Sequence, residues 1–292
     1  MTKIQKYVPK LKSRSGWHEI NGCHYHVNLW GNRDNPPIFL LHGWGDCSFS
    51  FQFLVDFLKH DWFVVAPDWR GFGSSTIQCE SYWFPDYIAD LHALIKIYQP
   101  HDPVLMLGHS MGANIGHLFA GIFPERVAKF INVEGFGLNE TNPSQAPENY
   151  RRWITFLESE PQYKSYSSYK DLARKIMIRN PLLSEDRALF LAYHWSERIS
   201  DKLIKLKIDP KHKFPNAILY RRAEAKACWD RVTAELLLVI GENTKYKKHL
   251  NSPTGIDEFK EELAKVETVL ISQAGHMIHI EQPEKLAQIC DK

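Results

Sequence analysis

Short apolar runs alternate with amphipathic stretches through the first half of the chain, a rhythm that predicts parallel strands joined by crossover helices. Pro37-Ile38-Phe39-Leu40-Leu41 is apolar throughout, so it reads as a strand buried on both faces. Phe51, Leu54, Val55 and Leu58 then take the spacing of one helix face. The rhythm repeats with a strand at 62–66 and a helical stripe of Ile88, Leu91, Ile95 and Tyr98. It repeats again with a strand at 103–107 and a stripe of Ile115, Leu118, Phe119 and Ile122 that Pro124 stops. Residues 130–133 predict a further strand ending at Glu134. Ahead of all these, 17–20 and 25–29 flank Asn21-Gly22, a hairpin signal.

From Asn139 to about Arg231 the strand signal disappears and helical, aromatic-rich segments take over. Alternation resumes with a strand at 236–240, a helix over about 257–264 and a last strand at 266–271. The expected architecture is therefore α/β, a mostly parallel central sheet flanked by helices. Residues 1–138 and 232–292 form its core, and 139–231 form an inserted helical cap.

Composition agrees with one large folded unit: 292 residues, 44% of them hydrophobic. Lys and Arg number 36 against 34 acidic residues, with no long basic block, which argues against nucleic acid as a partner. No apolar stretch follows Lys3, Lys6 and Lys10, so neither a signal peptide nor a membrane span is expected, and the expected compartment is the cytoplasm. The five cysteines are scattered without a C-x-x-C pair and read as free thiols.

Gly108-His109-Ser110-Met111-Gly112 lies between an apolar strand and an amphipathic helix, the context that gives a G-x-S-x-G pattern its meaning. A serine on so sharp a turn takes a strained backbone, and the flanking glycines let strand and helix pass. The turn projects the hydroxyl outward and aims a helix N-terminus at the place where an oxyanion would form. Among 14 histidines, His276 is distinguished by its place after the last strand and before the Gln282-Pro283 helix start.

The order from His42-Gly43 through the Ser110 elbow to Gly275-His276 resembles the α/β-hydrolase superfamily, including its members with helical caps. That resemblance implies Ser110 as nucleophile, His276 as general base, and the backbone N–H groups of Trp44 and Met111 as an oxyanion hole. Each such donor is worth about 3 kcal/mol of barrier lowering. Many members carry an aspartate three residues after the glycine that ends the penultimate strand, but Gly241-Glu242-Asn243-Thr244 places threonine there. Some capped members take the acid from the strand before the cap, where Glu134 stands; Glu242 is the alternative. A carboxylate is needed to hold the histidine tautomer and stabilise the imidazolium. The resemblance implies a cofactor-free serine hydrolase acting on a small-molecule carboxylic ester, with thioesters, lactones and carbon-carbon bonds as alternatives. Epoxide hydrolases and haloalkane dehalogenases use aspartate as nucleophile, so Ser110 speaks against both. Cap aromatics such as Tyr150, Trp153, Tyr166 and Trp195 suit an apolar acyl or aryl group.

Two rival readings belong to other classes. Gly43-Trp44-Gly45-Asp46-Cys47-Ser48 opens a helix after a strand, and Asp68 ends the next strand, which together approach a dinucleotide fingerprint with serine at its third glycine. A hydrolase fold without turnover, serving as a ligand-binding module, is the other. The Asp68–Ser74 loop is expected to be structural, with Arg70 pairing a carboxylate. His24 and His26 are expected to be solvated neighbours on one strand.

Overall fold

Alternate residues of each central strand feed opposite faces of one sheet, and that is what buries it on both sides. The computed structural model describes residues 7–248, 259–261, 263 and 266–292. The strands are β1 (Arg14–Ile20), β2 (Cys23–Trp30), β3 (Pro37–Leu41), β4 (Phe63–Pro67), β5 (Val104–His109), β6 (Val127–Val133), β9 (Glu235–Gly241) and β10 (Glu267–Ile271). They lie in the order β1-β2-β4-β3-β5-β6-β9-β10. β1 and β2 are antiparallel and β2 runs antiparallel to β4; every pairing from β4 to β10 is parallel.

Ile38 and Leu40 of β3 pack with Phe51, Leu54 and Leu286 on one face. Phe39 and Leu41 pack with Leu91, Ile115 and Phe119 on the other. The second group lies on α2 (Phe84–Tyr98) and α3 (Met111–Ile122), the expected crossover helices. The hairpin between β1 and β2 turns on Asn21 and Gly22, whose φ values of 48° and 75° are the positive pair a two-residue turn requires.

Two features differ from expectation. The helix after β3 shrinks to a 3-10 turn, Ser48–Phe51, and a single turn α1, Gln52–Val55. Beyond it Phe57 and Leu58 donate to carbonyls three residues back, and the Asp56 carboxylate is drawn aside by the Tyr7 hydroxyl (2.5 Å) and the Lys10 and Leu11 amides. Between β6 and β9 the chain forms α4 (Ala146–Leu157), α5 (Tyr169–Arg179), α6 (Glu185–His194) and α7 (Arg222–Trp229), but also a hairpin of β7 (Ser196–Ser200) and β8 (Leu203–Leu206). That hairpin escapes hydrophobic patterning because all but the first residue of β7 is exposed. Helix α7 packs on α3, its Trp229 ring stacked on His117 at 5.3 Å between centroids. Of the helix expected near the C-terminus, residues 259–261 are helical; 257, 258, 262 and 264 lie outside the described residues. The chain closes with α8 (Ile278–Glu281) and α9 (Pro283–Cys290). Among the described residues, no helix is long and apolar enough to cross a membrane.

The sheet edge carries a polar anchor. Asp68 is buried, and all its carboxylate positions are taken: Oδ1 accepts the Ser48 amide (2.7 Å) and hydroxyl (2.6 Å), Oδ2 the Ser74 amide (2.8 Å) and His26 Nδ1–H (2.9 Å). This leaves no oxygen for a ribose, which removes the main support of the dinucleotide rival. It also corrects the reading of His26, which is buried because the loop after β4 folds over its face of β2; only His24 is exposed, stacked on Trp17. Arg70 pairs with Asp90 (2.6 Å) and Asp86 (2.8 Å), as expected of it.

Burial opposes ionisation of Asp68, but the hydrogen bond and charge of His26, aided by His42 and Ser48, outweigh it and bring the carboxyl from 3.8 down to about 2. Its contribution is complete above about pH 4 and is lost as the pH falls through about 2. Replacing Asp68 by alanine strands four donors and should cost about 3 to 5 kcal/mol in urea unfolding at neutral pH. An unchanged urea midpoint would show that the anchor does not hold the loop.

Candidate active site

Ser110 and Glu134 each stand one residue past the ends of adjacent parallel strands, since His109 and Val133 are paired at the last step of the β5–β6 ladder. The Ser110 amide donates to the Val133 carbonyl (2.9 Å) and the Glu134 amide to the Val239 carbonyl (3.1 Å). Both residues have left-handed φ, 53° at Ser110 and 58° at Glu134, which few non-glycine residues adopt. The elbow is also tight. A Cβ on Gly112 would lie 2.2 Å from the Leu41 carbonyl oxygen, so only glycine lets α3 start against β3.

The His42-Gly43-Trp44 loop runs against this elbow, close enough that a Cβ on Gly43 would lie 3.2 Å from that of Ser110. Trp69 holds the loop, its amide donating to His42 Nε2 and its indole N–H to the His42 carbonyl, both at 2.9 Å. His42 Nε2 is therefore an acceptor, and its protonated Nδ1 donates to the Gly43 carbonyl (2.8 Å). Burial holds His42 below the ordinary imidazole range, which keeps this neutral tautomer. Met111 opens α3, so its N–H has no carbonyl one turn back, and among the described residues the Trp44 amide has no hydrogen-bond partner.

The Glu134 side chain is buried, and three donors from two other segments converge on it. Oε1 accepts the Gly241 amide (2.7 Å), and Oε2 accepts the Thr244 hydroxyl and His276 Nδ1–H (3.1 Å). Glu242 points elsewhere: it is exposed and accepts the Gln273 amide (3.1 Å). With Nδ1 committed to Glu134, the lone pair of His276 lies on Nε2. Among the described residues neither that atom nor the Ser110 hydroxyl has a hydrogen-bond partner. The two loops nevertheless touch: His109, beside Ser110, donates Nε2–H to the His276 carbonyl (2.9 Å) with ring centroids 4.7 Å apart. Such contacts commonly tighten only when substrate is bound.

The structure thus gathers Ser110, Trp44, Met111, Glu134 and His276 where β3, β5, β6 and β10 end, and leaves Glu242 outside. Three further residues escaped the sequence reading. Thr244 is the carboxylate's hydroxyl partner, Tyr246 packs its ring 4.4 Å from that of His276, and His109 braces the His276 loop. The signal for Thr244 was present, a small hydroxyl residue where the family resemblance implies an aspartate. For metal ions, Asp46, His109 and His279 place one ligand atom each within 4.8 Å of one another. Asp46 Oδ2 and His279 Nε2 are already joined to each other and to the Ser50 hydroxyl.

A serine with left-handed φ at a strand-to-helix elbow and a carboxylate-held imidazole thus stand at the same end of one mostly parallel α/β sheet. A family model described as alpha/beta hydrolase fold matches residues 36–283, and the chain belongs to that family. It is 23% identical to a serine hydrolase-like protein of Danio rerio over 99% of this chain and 89% of that protein. It is 24% identical to serine hydrolase-like protein 2 of Homo sapiens over 91% of this chain and 89% of that one. Among solved structures, a thioesterase domain from the curacin biosynthetic pathway superimposes with a TM-score of 0.85 at 23% identity, covering 95% of this chain and 99% of its own.

The backbone at position 110 offers a test that needs no substrate. Glycine relieves the left-handed strain of roughly 1 to 3 kcal/mol but loses up to about 1 kcal/mol to unfolded-state entropy. Ser110→Gly should therefore be about 1 kcal/mol more stable than Ser110→Ala in urea unfolding. A Ser110→Ala variant more stable than Ser110→Gly would mean that the elbow is unstrained.

Proposed function

We propose that this chain is a serine hydrolase that cleaves a carboxylic ester through an acyl-enzyme on Ser110. The observation that carries this reading is the bond from His276 Nδ1–H to buried Glu134, which leaves Nε2 as the proton acceptor beside the elbow. His276 Nε2 takes the Ser110 proton as Oγ attacks the acyl carbonyl. The carbonyl electrons move onto oxygen, where the Trp44 and Met111 amides hold the oxyanion. The proton on His276 then passes to the departing alkoxide, and the ester bond breaks. Water, deprotonated by the same imidazole, repeats the attack and frees Ser110. Glu134 stabilises the imidazolium in both halves, and every proton is moved by the chain's own residues.

Residues 139–231 serve as a cap in this reading. In support, His194 at the end of α6 stacks on Phe49, just past the oxyanion loop, with centroids 3.8 Å apart. Tyr166, Tyr169, Phe190 and Trp195 pack into an apolar cluster, whereas Tyr150 and Tyr193 are exposed and free to meet substrate or solvent. The substrate proposed is small, with an apolar acyl or aryl group. A thioester is the second reading, favoured by the close superposition on a thioesterase domain.

Ser110→Ala should abolish both hydrolysis of aryl esters and labelling by a fluorophosphonate. Glu134→Gln should lower kcat by about 10² to 10⁴, while Glu242→Gln leaves it unchanged. Thr244→Val should fall between them. Wild-type turnover in Glu134→Gln, or its loss in Glu242→Gln, would assign the acid elsewhere, and a parallel series of thioesters decides between the two substrate classes.

A further inference from the structure

Next to Ser110 the interior holds a polar cluster of Asp46, Ser50, His109 and His279, each at most 4% exposed. Burying such groups is costly unless they are partnered, so what they partner shows what they hold together. Asp46 lies in the oxyanion loop's continuation, and its Oδ2 accepts the Ser50 hydroxyl (2.8 Å) and meets His279 Nε2 at 3.2 Å. His279 sits on α8, three residues after His276. Its ring lies 4.4 Å from that of His109, which in turn reaches the His276 carbonyl. One cluster thus touches the oxyanion loop, the elbow and the segment bearing the general base.

We propose that His109 is a positioning residue, whose Nε2–H, braced by the Asp46–His279 pair, holds the His276 backbone so that its imidazole stays in register with the Ser110 hydroxyl. The inference rests on the serine hydrolase reading and adds a residue to it. Donation to a carbonyl places the His109 proton on Nε2 and leaves Nδ1 bare. That bare nitrogen faces Gly43, where a Cβ would lie 2.9 Å away, and has no hydrogen-bond partner. Burial first, then the neighbouring imidazoles of His279 and His276, hold His109 well below the ordinary imidazole range. It therefore stays neutral and sets no positive charge against the imidazolium that forms on His276. An apolar ring of the same size would fill the space but leave the His276 carbonyl unpaired on that side.

The test exploits reach. Glutamine carries an N–H at about the distance of imidazole Nε2, whereas asparagine stops near Nδ1 and leucine has no donor. In aryl ester hydrolysis His109→Leu and His109→Asn should lose kcat by roughly ten- to hundredfold with KM little changed. His109→Gln should recover most of the rate, and the urea midpoints of the three should not follow the same order. Ser110→Ala is run beside them. If Ser110→Ala is inactive while His109→Leu and His109→Asn turn over like wild type, or if all three His109 variants lose activity equally, the positioning role is overturned and the serine hydrolase reading stands. If Ser110→Ala remains active, both fall. Should variants at 109 not fold, His279→Gln against His279→Leu asks the same question one bond further back: rescue by glutamine alone supports the role, and equal loss or equal retention overturns it.

Discussion

The arrangement turns on one buried negative charge. A carboxylate taken out of water is tolerable only when its oxygens are fully engaged, and Glu134 meets that condition by drawing two separate stretches of chain to the end of β6. The Gly241 amide comes from the end of β9, the Thr244 hydroxyl from the turn beyond it, and His276 from the loop after β10. The left-handed backbone at Glu134 turns its side chain out of the ladder to meet them. Remove the charge, and nothing else among these contacts selects the His276 tautomer.

The same economy of parts governs the other half of the site. Ser110 is aimed by a parallel ladder that stops at His109 and by a helix that begins at once, so its orientation follows from the sheet. The loop after β3, from His42 to Ser48, has no such scaffold and is held by side chains: Trp69 grips His42, Asp68 holds Ser48, and Asp46 reaches His279. Loops that carry chemistry need rigid support, and here polar groups on β2 and after β4 supply it. That is why a face of β2 bearing His26 and Asn28 is buried although its residues are polar.

Much of this was legible in the chain. The β3, β5 and α3 segments announce themselves because strands covered on both faces are apolar at consecutive positions and their helices keep a strict stripe. The elbow and His276 followed from motif and place. Glu134 and Glu242 are both candidates in the chain, and that Glu134 is the one in contact with His276 could not be read there, because a residue's distance from a histidine 142 positions later is a property of strand order. His26 was misread because an isolated histidine on a strand carries no mark of the loop that covers it. The β7–β8 hairpin was missed because a solvated ribbon lacks the apolar alternation that strand reading depends on. Thr244 reads in the chain as the place of a missing aspartate, and its hydroxyl donates to Glu134.

The central claim is that Glu134 bonds the protonated Nδ1 of His276 while Ser110 carries the acyl group. Proton NMR of the enzyme after fluorophosphonate labelling reads that bond directly, as a far-downfield imidazole N–H resonance. This resonance should persist in Glu242→Gln and disappear in Glu134→Gln and His276→Asn. A downfield signal that survives the loss of Glu134 but not of Glu242 would contradict the claim.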